Sequence, residues 1–260
     1  MKIIKSTIAA LLCTALICTA ASCGNTENKN SKNKGSVSSV SSSSSENKDA
    51  SASDGDSSED KSSDAEPAGG NYEACESMKE AAANYDPDGD ERLYDIMRET
   101  YEGDYFIELL AGDVNMSFAI KDGTMAARTV NQGMASRAYY TEDKSFYDIS
   151  DATTTYTLYE NYEYDIRNSD SLFGATGNFR TAETDENGNY AETYAIDKDM
   201  VGTGGTIRYT FNSETGALMS YEITIAGSSM IYEVNDLRTT EPSDLELPDL
   251  TDYNRQEGAN

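Results

Sequence analysis

From Gly103 onward large side chains recur at every second position, and short turn signals interrupt them at close intervals. In "VNMSFAIKDGT", Val114, Met116, Phe118 and Ile120 alternate with small or polar neighbours, and Asp122-Gly123 then supplies a tight hairpin turn. Gln132-Gly133 and Glu142-Asp143 mark the next two turns, with "SFYDIS" and "TTYTLYE" continuing the alternation. An irregular stretch, "ENYEYDIRNSDSLFGATG", interrupts the pattern. Strands resume as "NFRTAET" and "NYAETYAI" around Glu186-Asn187-Gly188, then "GTIRYTFN" and "ALMSYEITI" around Ser213–Gly216, then "SSMIYEVNDL". A chain patterned this way folds as an antiparallel meander of about ten short strands. One face is expected to be covered and the other wet. Ala119, alternating with the apolar set, is then expected to face water and to tolerate a bulky replacement.

Before Gly103 the period is helical. "NYEACESMKEAAANY" places Cys75, Met78 and Ala82 on one stripe, and "DGDERLYDIMRETYEG" places Leu93, Ile96, Met97 and Tyr101 on another. Asp88 or Asp90 is the expected N-cap of the second helix, and Gly103 its stop. Helices followed by strands make an α+β domain. All 18 Tyr and all 6 Phe lie between residues 72 and 253, which marks residues 71–255 as one domain large enough for a real core. From residue 71 onward 13 Lys and Arg stand against 38 Asp and Glu, a balance of −25 out of the chain's −27. That field repels nucleic acid and anionic lipid surfaces, so no nucleic-acid partner is expected.

The first 70 residues belong to a different world. Lys2 and Lys5 precede an apolar run from Ile8 to Ala21, too short for a comfortable membrane span. Ala20-Ala21-Ser22-Cys23 follows. This resembles the lipobox of bacterial lipoproteins, with Ala where that family usually has Leu three residues before the cysteine. The resemblance implies cleavage after residue 22 and acylation of Cys23, hence an anchor in the cell membrane facing outward; Gly24 after the cysteine and the long polar segment that follows favour a Gram-positive-like envelope. Acylation by more than one chain gives stable anchoring, at about 0.8 kcal/mol per buried CH2. Residues 24–70, rich in Ser and lacking any aromatic residue, read as a polar tether with a random-coil span of roughly 40 Å. With Cys13 and Cys18 in the leader and Cys23 acylated, only Cys75 remains, so no intrachain disulfide can form; Cys75 reads as a small helix or core residue.

The order helix, meander, irregular insertion and "IRYTFNSETGALMSYEITIAGSSMIYEVNDL…EPSDLELPD" resembles the LolA/LppX-like lipoprotein-carrier domains. The resemblance implies N-terminal helices packed on a curved, mostly antiparallel half-barrel, with an apolar cavity between them. No binding residue carries over from those domains by motif; the period of two in the strands turns Met116, Phe118, Tyr209, Phe211, Met219 and Ile223 inward, where an apolar ligand such as a lipid would meet them. The alternative is an envelope interaction or structural lipoprotein with a filled core and a protein or cell-wall partner. A monomer fits either reading.

Catalysis has no foothold in the sequence. The chain contains no histidine, which removes imidazole bases and ligands. "DPDGDERLYDIM" imitates a calcium loop through Asp86, Asp88 and Asp90, but Glu91 replaces the required Gly and Met97 the closing acid. "DENGN" likewise lacks its closing acid at Ile196, and "VGTGGT" lacks the Lys-Ser/Thr of a phosphate loop. No cofactor, no metal and no enzymatic activity are expected.

Overall fold

The computed structural model describes residues 72–166, 170, 172–196 and 204–257. The leader, Cys23 and the Ser-rich segment lie outside the described residues, as does most of the "VGTGGT" motif. Two helices, α1 (Glu76–Asn84) and α2 (Leu93–Tyr101), precede the strands β1 (Asp104–Ala111), β2 (Val114–Lys121), β3 (Thr124–Asn131), β4 (Met134–Tyr140), β5 (Phe146–Ser150) and β6 (Thr155–Tyr159). After a link come β7 (Thr176–Thr184), β8 (Tyr190–Ile196), β9 (Gly205–Phe211), β10 (Leu218–Ile225), β11 (Ser228–Arg238) and β12 (Asn254–Gln256). The helices therefore sit well inside the chain, not at its N-terminus, and among the described residues the strands number twelve where the pattern suggested about ten.

All twelve strands form one open sheet in the order β12-β6-β5-β4-β3-β2-β1-β11-β10-β9-β8-β7. Every pairing is antiparallel except that of β12 with β6. Turn chemistry explains the hairpins. Asp122-Gly123 and Gln132-Gly133 hold φ of 50/78° and 51/77°, the left-handed pair that matches strand twist in two-residue turns. Two hairpins escaped the sequence reading: β1–β2 through Gly112-Asp113, and β10–β11 through Ala226-Gly227. The β9–β10 turn is also a docking point. A side chain at Gly216 would run into the backbone carbonyl of Met78 in α1, and its φ of +70° already favours glycine.

The meander is really two. β1 to β6 run outward from the sheet centre; β7 to β11 start at the far edge and return to the centre, where β11 pairs with β1. The 16 residues 160–175 must therefore carry the chain from one edge region to the other across ten strand spacings. On a flat sheet that is roughly 48 Å at about 4.8 Å per strand. A fully extended link would reach about 55 Å. This one is not extended: the Asp170 N–H bonds to the Ile166 carbonyl (3.1 Å) and the Gly174 N–H to the Asp170 carbonyl (3.2 Å). Only a curved sheet brings its edges near enough.

Two separate clusters of buried residues lie on opposite faces. The larger joins Met78, Leu93, Met97 and Tyr101 of the helices to Tyr105, Ile107, Phe118, Tyr209, Phe211 and Tyr221 of the sheet. The smaller joins Ala119, Ala126, Tyr139 and Ile149 to Leu245, Leu247, Leu250 and Tyr253, contributed by the segment after β11. That segment is pinned at both ends. Arg238 grips Asp244 with two hydrogen bonds (2.7 and 2.9 Å) and lies over the Phe106 ring at 4.2 Å; the Tyr253 hydroxyl donates to Asp151 (2.7 Å). The Arg238 guanidinium holds the Asp244 carboxyl below its ordinary range.

The second cluster corrects the expectation of a wet outer face. Ala119 is 2% exposed, with Phe106 opposite it on one neighbouring strand and Ala126 on the other. Ala119→Phe is therefore expected to overfill this layer and cost about 1–3 kcal/mol. Urea unfolding measures the loss; a variant as stable as the parent would mean the C-terminal segment does not press on that face.

Candidate functional site

The concave face is where the sequence placed its ligand residues. Phe118 (8% exposed), Tyr209 and Phe211 (both 0%) lie within the larger cluster, and Met116 and Ile223 pack against its border. Met219 joins neither cluster. The register slips between Leu218 and Ser220, so that Leu218 stands opposite Phe211 and Ser220 opposite Thr210. This bulge gives the inward place to Leu218, which is 1% exposed, and leaves Met219 half-buried.

Tyr209 shows what covers that face. Its ring centre lies 4.8 Å from Tyr94 of α2 and 6.0 Å from Tyr221. Its hydroxyl donates to the Leu172 carbonyl (2.7 Å) and lies 2.6 Å from Thr176 Oγ1. Leu172 and Phe173 come from the link, which crosses here. Phe173 stands edge-on to Tyr105 at 5.5 Å and tilted to Tyr94 at 6.0 Å. Asp170 fastens the crossing: its Oδ1 accepts from the Tyr105 hydroxyl (2.7 Å) and from the backbone N–H groups of Leu172 (3.1 Å) and Phe173 (2.8 Å). Burial pushes the Asp170 carboxyl up against these donors.

A second buried carboxylate holds α2. Neither Asp88 nor Asp90 caps this helix. The residue before it is Arg92, with no side-chain cap, and Asp86 instead closes a local turn by accepting from the Asp88 N–H (3.0 Å). The cap comes from the sheet. Glu192 of β8, 0% exposed, accepts from the Leu93 N–H (2.8 Å) and Tyr85 hydroxyl (2.7 Å) at Oε1, and from the Tyr94 N–H (3.0 Å) and Tyr194 hydroxyl (2.9 Å) at Oε2. Two orphan amides and the positive end of the helix dipole face one carboxylate. Burial, reinforced by this charge, pushes both the Tyr85 and Tyr194 hydroxyls up.

Outside the helices, the link contributes a third feature at the β4–β5 end. The Tyr162 N–H bonds to the Lys144 carbonyl (2.8 Å) and the Tyr140 hydroxyl donates to the Tyr162 carbonyl (3.1 Å). Along 162–166 burial alternates: Tyr162, Tyr164 and Ile166 are half-buried, Glu163 and Asp165 exposed. The Tyr164 ring lies 5.5 Å from both Tyr140 and Phe146. Burial pushes its hydroxyl up. Between these parts opens a depression of about 380 Å³ lined by Tyr140, Lys144, Glu163, Tyr164 and Asp165. The sequence reading passed over it, although aromatic residues at every second position in an otherwise irregular stretch were a usable signal.

Cys75 precedes α1 and is half-buried, its Sγ 3.1 Å from Ser77 Oγ. Among the described residues no three metal-ligating side chains gather, and no helix is long and apolar enough to cross a membrane.

No family model and no curated protein matches the chain. Among solved structures, the hypothetical protein CT021 from Chlamydia trachomatis, determined at 2.0 Å, is similar at 10% identity. The match covers 61% of this chain and 98% of that one, with a TM-score of 0.35. A likeness this distant carries no argument about function.

Proposed function

We propose that the chain is an exported lipoprotein, acylated at Cys23 and anchored to the outer face of the cell membrane, whose sheet domain binds an envelope partner at its surface. In this reading the domain is monomeric and non-catalytic, a half-barrel of the lipoprotein-carrier kind with its interior filled. One observation supports it above the rest: Tyr209 and Phe211 are fully buried, with the Tyr94 ring and the Leu172 carbonyl directly against Tyr209. An apolar ligand lodged on these residues needs volume that the helices and the link occupy. The buried acids offer little to chemistry either. Glu192 is committed to backbone amides and hydroxyls through both its oxygens, and Asp170 through Oδ1. In this reading residues 24–70 act as the spacer between membrane and domain.

The anchor is tested by metabolic labelling with a fatty acid. Incorporation is expected in the parent and its loss in Cys23→Ser, with the variant released from the membrane fraction. Labelling that persists in Cys23→Ser, or a parent that takes up no label, overturns the anchor.

A further inference from the structure

We infer that Arg128 of β3 and Arg137 of β4 form a docking site for a carboxylate of the partner, on the outer face of the sheet beside the C-terminal segment. The inference deepens the proposed function and rests on it in one respect. That reading has the domain bind an envelope partner at its surface, and the arginines say where and through which group.

Arg128 and Arg137 stand directly opposite each other in the β3–β4 register. Their side chains therefore leave the same face of the sheet, the face that also holds Ala126 and Tyr139 two positions along each strand. Like charges placed directly opposite repel. From residue 71 onward only 13 Lys and Arg stand against 38 Asp and Glu, so an arginine pair short of acids is unexpected in this chain. Asp151 supplies one acid, accepting from Arg137 Nη2 at 2.7 Å. Arg128 has none: it is exposed, and among the described residues its guanidinium makes no ion pair. Nor is Arg137 saturated. Its Nε is buried without a hydrogen-bond partner, a rare condition for a buried donor, while 22% of its side chain still reaches solvent. The cluster thus sets two positive charges against one negative, with guanidinium donors to spare.

A carboxylate meets that need. It brings the one negative charge the cluster lacks, and its two oxygens match the fork of a guanidinium. The Tyr139 hydroxyl feels both guanidiniums and Asp151, and burial pushes it up, so it stays a neutral donor beside them. More heavily charged groups fit less well. Asp151 lies on one side. On the other, beyond Ser117, stands Glu108, two strand spacings or roughly 9.6 Å from Arg128. A polyanion is also opposed by the balance of −25 from residue 71 onward. What fits is a single carboxylate on a partner that is otherwise neutral or basic.

The test is an NMR titration of the full-length protein labelled with 15N. N-acetylglycine is the probe, N-acetylglycinamide its uncharged counterpart and inorganic phosphate the competing oxyanion. The Nε–H signals of Arg128 and Arg137 should shift saturably with N-acetylglycine, require more phosphate for the same shift, and stay in place with the amide. Arg128→Gln should weaken binding about tenfold or more and melt no lower than the parent, because it removes one of two opposed like charges. Arg128→Glu places a carboxylate of the chain's own opposite Arg137, and should melt higher and bind no probe. A probe that shifts neither signal, an amide that binds as well, phosphate that binds more tightly, Arg128→Gln that binds like the parent, or Arg128→Glu that melts lower would each overturn the inference. The intact mass of the same preparation separates the two proposals. An acylated protein that binds no carboxylate removes this inference alone, whereas an unacylated protein that binds it removes only the membrane anchor.

Discussion

Glu192→Ala is expected to be among the most damaging single substitutions in the domain, lowering stability by about 4–5 kcal/mol. Each hydrogen bond to a buried charged group contributes roughly 1.5–3 kcal/mol, and the four made by Glu192 share partners and do not simply add. The change strands the Leu93 and Tyr94 amides and the Tyr194 hydroxyl beneath covering side chains where water does not replace the acceptor, and takes the acceptor from the half-buried Tyr85 hydroxyl. For a domain of this size the melting temperature should fall by roughly 10–15 °C. Glu192→Gln retains the shape and one acceptor oxygen, and should lose about half as much. Thermal melts followed by circular dichroism give both values. A melting temperature within about 2 °C of the parent for the alanine variant would show that the helix terminus is satisfied by something other than this carboxylate.

The second large effect belongs to the link. Phe173 fills the space between Tyr94 of α2 and Tyr105 of β1 and is 6% exposed. Truncation to alanine should cost about 3–5 kcal/mol, the usual loss when a buried aromatic side chain is removed and its cavity stays partly open. The substitution also has a signature that distinguishes a filled interior from an empty one. The parent should not enhance the fluorescence of a small apolar dye, whereas Phe173→Ala, having gained a hole lined by tyrosine rings, should do so. A parent that already takes up the dye, with no further gain in the variant, would mean that room existed before Phe173 was removed.

Local features of this fold were readable from residues, and features that depend on distant partners were not. The alternation Val114-Met116-Phe118-Ile120 correctly marks one face of β2, because a strand's side chains obey a period of two wherever the strand is placed. Asp122-Gly123 marks its hairpin because few other residues accept two successive positive φ values. The stripe Leu93-Met97-Tyr101 is buried as its spacing implies, yet Tyr94 is buried as well, since the link lies along a second side of the helix. The N-cap reading failed for a related reason. Asp88 and Asp90 are near in sequence, but the group that reaches the amides comes from β8, 99 residues beyond Leu93. Met219 was assigned inward by counting twos, and a bulge at this point leaves it half-buried while the neighbouring Leu218 is buried in the core. The wet outer face was inferred from the strands alone, without the Pro-containing tail that turns out to cover Ala119. The β1–β11 pairing and the crossing of residues 160–175 follow from topology, and hairpin signals say nothing about either.

That the concave face is filled by the protein's own side chains is the claim on which the functional reading turns, and native mass spectrometry tests it most directly. The full-length protein, extracted from the membranes of its own host and kept under non-denaturing conditions, should show the mass of the chain from residue 23 with the acyl groups on Cys23. Gentle collisional activation should release nothing. A releasable lipid that disappears when Tyr209→Trp adds bulk beneath the helices would contradict the account and favour a carrier of apolar ligands.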